Sequence, residues 1–145
     1  MSLMVAQCMA SIFLIISLLH VYWASGGKWG SEAAVPRVPG DGGAQSRPVF
    51  KPSGWVTLLV AVGLLMIAML VCFRVGLCLP VVHDRWLQWV ISTIAILMFA
   101  RAIGDSNLVG FFKEVKDSTF ARLDTWVYSP LCVVLGAGLL AVAWT

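Results

Sequence analysis

Four long apolar stretches alternate with polar connectors along this chain, at residues 3–24, 55–73, 86–104 and 126–144. A bilayer core about 30 Å thick is crossed by about 20 apolar residues of helix, each adding about 1.5 Å. The first, second and fourth stretches reach that length outright; the third does so with Arg101 at its interfacial end. Almost every charge falls between the stretches, as expected where a charge inside hydrocarbon is costly. The pattern predicts an all-α protein, a four-helix transmembrane bundle running up-down-up-down, with residues 1–145 forming one integral membrane domain.

The connectors are unequal. The first, residues 25–54, holds four of the six prolines together with Lys28, Arg37, Arg47, Lys51, Glu32 and Asp41. Its glycines and prolines exclude a long helix and favour turns, and Trp29, Val35, Val49 and Phe50 give it apolar groups with which to dock on the bundle end. The second, residues 74–85, is short, so its flanking helices are antiparallel neighbours; Pro80 is placed to end one helix and Asp84 to cap the next. The third, residues 101–125, sets Arg101, Lys113, Lys116 and Arg122 against Asp105, Glu114, Asp117 and Asp124, with aromatic and aliphatic side chains interleaved. Balanced charge mixed with rings points to a folded element that, with the first connector, makes an ordered interfacial cap. Val109, Phe112, Lys113 and Lys116 share one side at helical spacing, which predicts a short amphipathic helix in the membrane plane. Asp117 reads as the N-cap of a turn into the fourth span, and Pro130 as a kink or a first-turn residue.

Composition narrows the class without naming an activity. The chain is 60% hydrophobic and 12% charged, which leaves no room for a separate soluble catalytic domain. A scattered net charge of +3 makes no basic stripe, so nucleic acid is excluded as a partner. The first stretch lacks a preceding basic residue, and Tyr22 stands where a cleavage site wants a small side chain, so it is expected to be a retained span rather than a secretory leader. Cys8, Cys72, Cys78 and Cys132 form no C-x-x-C pair, and behave as small hydrophobes rather than as a redox or zinc motif. Trp23, Trp55, Trp86, Trp89, Trp126 and Trp144 fall near stretch ends, where an indole prefers the headgroup zone.

Several short strings stand in order along the chain: His20-Val21-Tyr22-Trp23-Ala24-Ser25-Gly26-Gly27 with Trp29-Gly30, Arg101-Ala102-Ile103-Gly104-Asp105, Val109-Gly110-Phe111-Phe112-Lys113, Phe120-Ala121-Arg122-Leu123-Asp124-Thr125 and Tyr128-Ser129-Pro130-Leu131-Cys132. The series resembles the small four-span bacterial membrane proteins of domain-of-unknown-function family 3995. That resemblance implies a four-helix membrane fold and a location in the bacterial inner membrane, and it brings no established activity. Ser106 stands where members of that family often carry an aromatic residue.

An alternating topology gives these strings one address. The end of span one, the end of span three and the start of span four share a membrane face, so His20, Trp23 and Trp29 meet Arg101, Asp105, Lys113, Asp124 and Tyr128 there. Arg101 and Asp105 are spaced to pair along one helix face. One reading makes this cluster an internal lock of ion pairs. The other makes it a pocket for a lipid-soluble or headgroup-like molecule, with His20 as a titratable group and Arg101 or Lys113 as an anion clamp. His83 is expected on the opposite face, which leaves His20 alone among carboxylates and excludes a usual zinc site; no metal or cofactor is expected. Membrane lipid and a small lipophilic ligand are the expected partners. The alternative is an accessory or structural subunit of a larger complex, with a partner membrane protein packed on small residues such as Ala10, Ser17, Gly63, Ala68, Gly136 and Ala141. Eight of the ten Lys and Arg residues lie in the first and third connectors, so positive-inside counting puts the cap in the cytoplasm.

Overall fold

The computed structural model describes residues 2–38, 40, 47–77, 84–104, 107–116 and 118–145. It contains four helices long and apolar enough to cross a membrane. Helix α1 is Ser2–Ala24, α3 is Gly54–Val75 and α4 is Arg85–Ile103, while the fourth span runs through α5 (Thr119–Leu123), a π-helical turn (Asp124–Tyr128) and α6 (Ser129–Ala143). The first connector adds a one-turn helix, α2 (Ser31–Ala34), and a two-stranded antiparallel ladder of β1 (Arg37–Val38) and β2 (Arg47–Pro48), in which Arg37 faces Pro48 and Val38 faces Arg47.

Local chemistry fixes the helix ends. The hydroxyl of Ser53 accepts the Val56 N–H at 3.3 Å and opens α3, and the Asp84 carboxylate does the same for Trp86 at 3.1 Å and opens α4. Gly76, at φ +72°, closes α3 while the Leu77 N–H reaches back to the Cys72 carbonyl at 2.9 Å. Pro80, Cys78 and His83 lie outside the described residues.

Helix α1 packs chiefly on α3, and α4 on α6, with α1 against α6 the broadest contact between the two pairs. Small residues let these backbones approach. Gly138 receives the Met9 side chain, and Gly136 lies under the Phe99 ring and the Ala95 carbonyl. Ser17 donates to the Ala61 carbonyl at 2.7 Å, a polar tie between α1 and α3 deep in the bundle. The core is slim, centred on Phe13, Val71, Ile91, Leu139 and Val142. Leu59, Met66, Ile96, Leu97 and Val134 face outward, the arrangement that suits lipid rather than water. Cys8 lies on this outer face, whereas Cys72 and Cys132 are half-buried. Trp55, Trp86 and Trp144 are exposed at helix ends, and Trp126 is exposed on the π-helical turn of the fourth span.

At the end away from the cap, Arg74 is 7% exposed and donates through Nη2 to the carbonyls of Ala143 at 2.8 Å and Thr145 at 3.1 Å. A buried cation thus meets the negative end of the α6 dipole.

Two expectations need correction. The fourth span begins at Thr119 rather than at Trp126, because the Ser118 hydroxyl caps a helical turn by accepting the Ala121 N–H at 3.0 Å; Asp117 lies outside the described residues. The third connector contains no amphipathic helix over residues 107–116. Phe112 is 74% exposed and Lys113 only 3%, so these neighbours have opposite environments rather than a shared helical face. The reason is backbone packing. Gly104 (φ +74°) and Gly110 (φ +91°) lie with their α-carbons face to face, and a Cβ on either would fall on the carbonyl of Val109 or of Ile103. Only glycine takes that conformation at that separation without strain, and the loop it closes turns Lys113 inward.

Candidate functional site

The π-turn sets the geometry of the cap. Pro130 lacks an N–H, so the ordinary helical bond back to Trp126 is not available. The chain widens by one residue instead, and the Ser129 N–H donates to the Asp124 carbonyl. Asp124, the first residue of the widened turn, is fully buried.

Three donors converge on its carboxylate. Arg101 Nη2 donates to Oδ1 at 2.8 Å, while the Gly110 N–H and Lys113 Nζ donate to Oδ2 at 2.7 and 3.0 Å. Lys113 Nζ also donates to the Gly110 carbonyl at 2.8 Å and to Thr125 Oγ1 at 2.6 Å. All three ammonium hydrogens are therefore taken. The Thr125 hydroxyl passes its own proton to the Ala121 carbonyl at 3.1 Å. Removal of two charges from water is compensated here by a complete set of charge-assisted bonds. This is a lock: it fixes the end of α4, the third connector and the start of the fourth span to one another. Arg101 is less enclosed, with a third of its side chain exposed, and its Nη1 is buried with no partner among the described residues.

The other residues expected at this address lie at the same bundle end but in separate groups. His20 Nδ1 sits 2.8 Å from the Ile16 carbonyl, which makes that nitrogen the donor, and the ring stands edge-on to Trp23 at 5.1 Å. Trp23 Nε1 donates to the Trp29 carbonyl at 2.8 Å, and the Trp29 N–H approaches the Tyr22 hydroxyl at 3.5 Å. The Tyr22 ring covers Gly27 so closely that a Cβ there would collide with it. Trp23 and Trp29 therefore clamp a turn rather than forming a cage, and the Trp29 ring is 77% exposed. Tyr128 donates to the Ala33 carbonyl at 3.1 Å, tying the first connector to the fourth span, with its ring against Phe120 at 6.1 Å. Asp105 lies outside the described residues.

Between the two connectors a cleft of about 370 Å³ remains, walled by Lys28, Glu32 and Arg37 on one side and Ser118 and Thr119 on the other. Arg37 and Glu32 approach to 3.8 Å. They also border a second cleft of about 290 Å³, lined in addition by Trp23, Val35, Pro48 and Phe50 and by Lys51 and Thr57. Sequence reasoning missed Lys28, Glu32 and Arg37 as one constellation, because only the fold of the first connector brings them together. Thr125 was missed as well, although it directly follows Asp124 in the chain. Among the described residues no three His, Cys, Asp or Glu side chains come close enough to hold a metal ion.

The chain belongs to the family described as "Protein of unknown function (DUF3995)", whose model matches residues 13–139. No curated protein and no solved structure matches it at a significant level.

Proposed function

We propose that this chain is a multi-pass protein of the bacterial inner membrane whose cap binds a small headgroup-bearing or lipophilic molecule at the membrane surface, with the cap on the cytoplasmic side. One observation carries the reading. The two connectors are held to the bundle end, by a half-buried bond from Tyr128 to Ala33 and by the buried bonds of Asp124 to Gly110 and Lys113, yet a charged cleft stays open between them. A cap needed only for stability gains by packing shut. One that keeps a concave, mixed-polarity surface at headgroup depth is suited to a ligand. The residues of the ion lock, Arg101, Lys113 and Asp124, do not line that cleft. Native purification in a mild detergent, followed by lipid mass spectrometry, tests the reading. A species retained above its abundance in the bulk membrane is the expected result, and recovery of bulk phospholipid alone overturns it.

A second reading, an accessory subunit of a larger membrane complex, is favoured by Gly63. This glycine lies midway along α3, and a Cβ built there meets nothing within 4 Å. Glycine inside a helix costs about 1 kcal/mol relative to alanine, and no neighbour among the described residues uses the space it leaves. A helix of another chain would use it. Sizing after gentle solubilisation discriminates: co-purification of a partner that is lost on Gly63→Leu supports the subunit, and a monomer argues against it.

A further inference from the structure

We infer that the outer face of the fourth span carries a seat for one anionic phospholipid of the surrounding bilayer, with its phosphodiester on Arg122 and its glycerol esters beside Trp126. A groove of about 250 Å³ is lined there by Thr119, Arg122, Leu123 and Trp126. Thr119, Arg122 and Trp126 are exposed, and Leu123 is half-buried. Spacings of three and four residues put them on one helical face, opposite the side that buries Phe120, Ala121 and Asp124. The ion lock thus faces inward while Arg122 faces out of the bundle. Among the described residues Arg122 enters no ion pair. A guanidinium on the outer face of a span is stable where it reaches the headgroup layer and meets a counter-charge in it. This seat lies apart from the cleft between the connectors, although Thr119 borders both, and it stands whatever that cleft holds.

The choice of a lipid follows from the order of side chains along this face. Arg122 stands one turn nearer the cap than Trp126, whose ring is 81% exposed and belongs at the headgroup level. Deeper along the span, Val127, Val133 and Val134 are exposed, a surface that suits acyl chains. Charge, ring and aliphatic side chains succeed one another over about 18 Å of helix. Phosphate, glycerol ester and chain follow in the same order along a phospholipid. The planar fork of Arg122 matches two phosphate oxygens, the Thr119 hydroxyl offers a further donor, and the Trp126 N–H supplies one for an ester carbonyl. An anionic lipid fits better than a zwitterionic one, because the residues lining the groove offer a cation and no carboxylate to receive a headgroup ammonium. Glu32 lines the neighbouring cleft beyond Thr119, where it stands 3.8 Å from Arg37. Asp117, two residues before Thr119, lies outside the described residues and is therefore substituted in the test.

The test places the full chain in phosphatidylcholine vesicles and reads tryptophan quenching as brominated phosphatidylglycerol or brominated phosphatidylcholine is added. The Trp126 signal is the difference between the parent protein and Trp126→Phe. Phosphatidylglycerol is expected to be preferred about fivefold at Trp126, the worth of one interfacial cation. Arg122→Gln should abolish that preference, and Arg122→Lys should keep part of it. The Arg122 side chain is exposed, so both variants should melt like the parent protein in detergent and show that they are folded. In the parent protein itself, raising salt from about 0.05 to about 0.5 M should shrink the preference. Asp117→Asn should leave it unchanged; a preference that grows in that variant shows the guanidinium to be held by Asp117 and overturns the inference. Equal quenching of Trp126 by the two lipids overturns it as well, as does a preference that survives Arg122→Gln or ignores salt. Absence of any Trp126 quenching puts a protein surface on this face in place of lipid, and is equally fatal.

Discussion

Lys113 has a surface side chain in a core environment, and the carboxylate that holds it there lies eleven residues further along the chain. Its burial gives an order of sensitivity. Lys113→Met leaves Asp124 with one cation and strips Thr125 and the Gly110 carbonyl of their donor, which should cost roughly 3–5 kcal/mol. Arg101→Ala removes the other cation, but a third of that side chain already meets solvent, so screening reduces the loss to about 1–3 kcal/mol. Lys116→Ala should change stability by less than about 0.5 kcal/mol. Thermal melting in one detergent ranks the three, and equal melting of Lys113→Met and Lys116→Ala would show the lock to be solvated. Little of this was legible beforehand. The spacing of Val109, Phe112, Lys113 and Lys116 imitates a helix face, and local periodicity says nothing about a carboxylate brought in from another element. The meeting of Arg101 with Asp124 was legible, because an alternating topology sends both to one membrane face.

Among the elements, the third connector depends on two glycines and the fourth span on a proline. Gly110→Ala puts a side chain at φ +91° and directs its Cβ at the Ile103 carbonyl, which should cost at least about 2 kcal/mol and release Lys113 from its site. Gly63→Ala is the contrast: in open space on a regular helix it should stabilise by up to about 1 kcal/mol. Chemical denaturation of the two variants beside the parent protein checks the opposite signs, and a shared sign would contradict the face-to-face packing of Gly104 and Gly110. The span ends that were readable from sequence are those with a local chemical cause, such as the Asp84 cap and the terminal tryptophans. The early start of the fourth span was not, since Asp124 looks like a loop charge until its buried partners and the widened turn accommodate it. The β1–β2 ladder, only two residues a side, lies below what alternation can reveal.

For the whole molecule, the cap makes the two ends chemically different. Impermeant maleimide should label single cysteines at positions 30 and 115 from the same side of the membrane, and one at position 85 from the other. Labelling of 30 and 115 from opposite sides would break the up-down-up-down order. The helix pairing carries a second consequence. Because α1 rests on α3, and α4 on α6, each half of the chain forms a hairpin of its own. Co-expressed fragments 1–77 and 84–145 should therefore recombine into a species that co-purifies, and separate elution of the two would argue against hairpin autonomy. The same pairing sets a sequence of events during synthesis. The first hairpin enters the bilayer before α6 is made, so Met9 faces lipid until the second hairpin arrives. Gly138, the notch that takes Met9, belongs to the second hairpin, so closure of the bundle core waits for that hairpin.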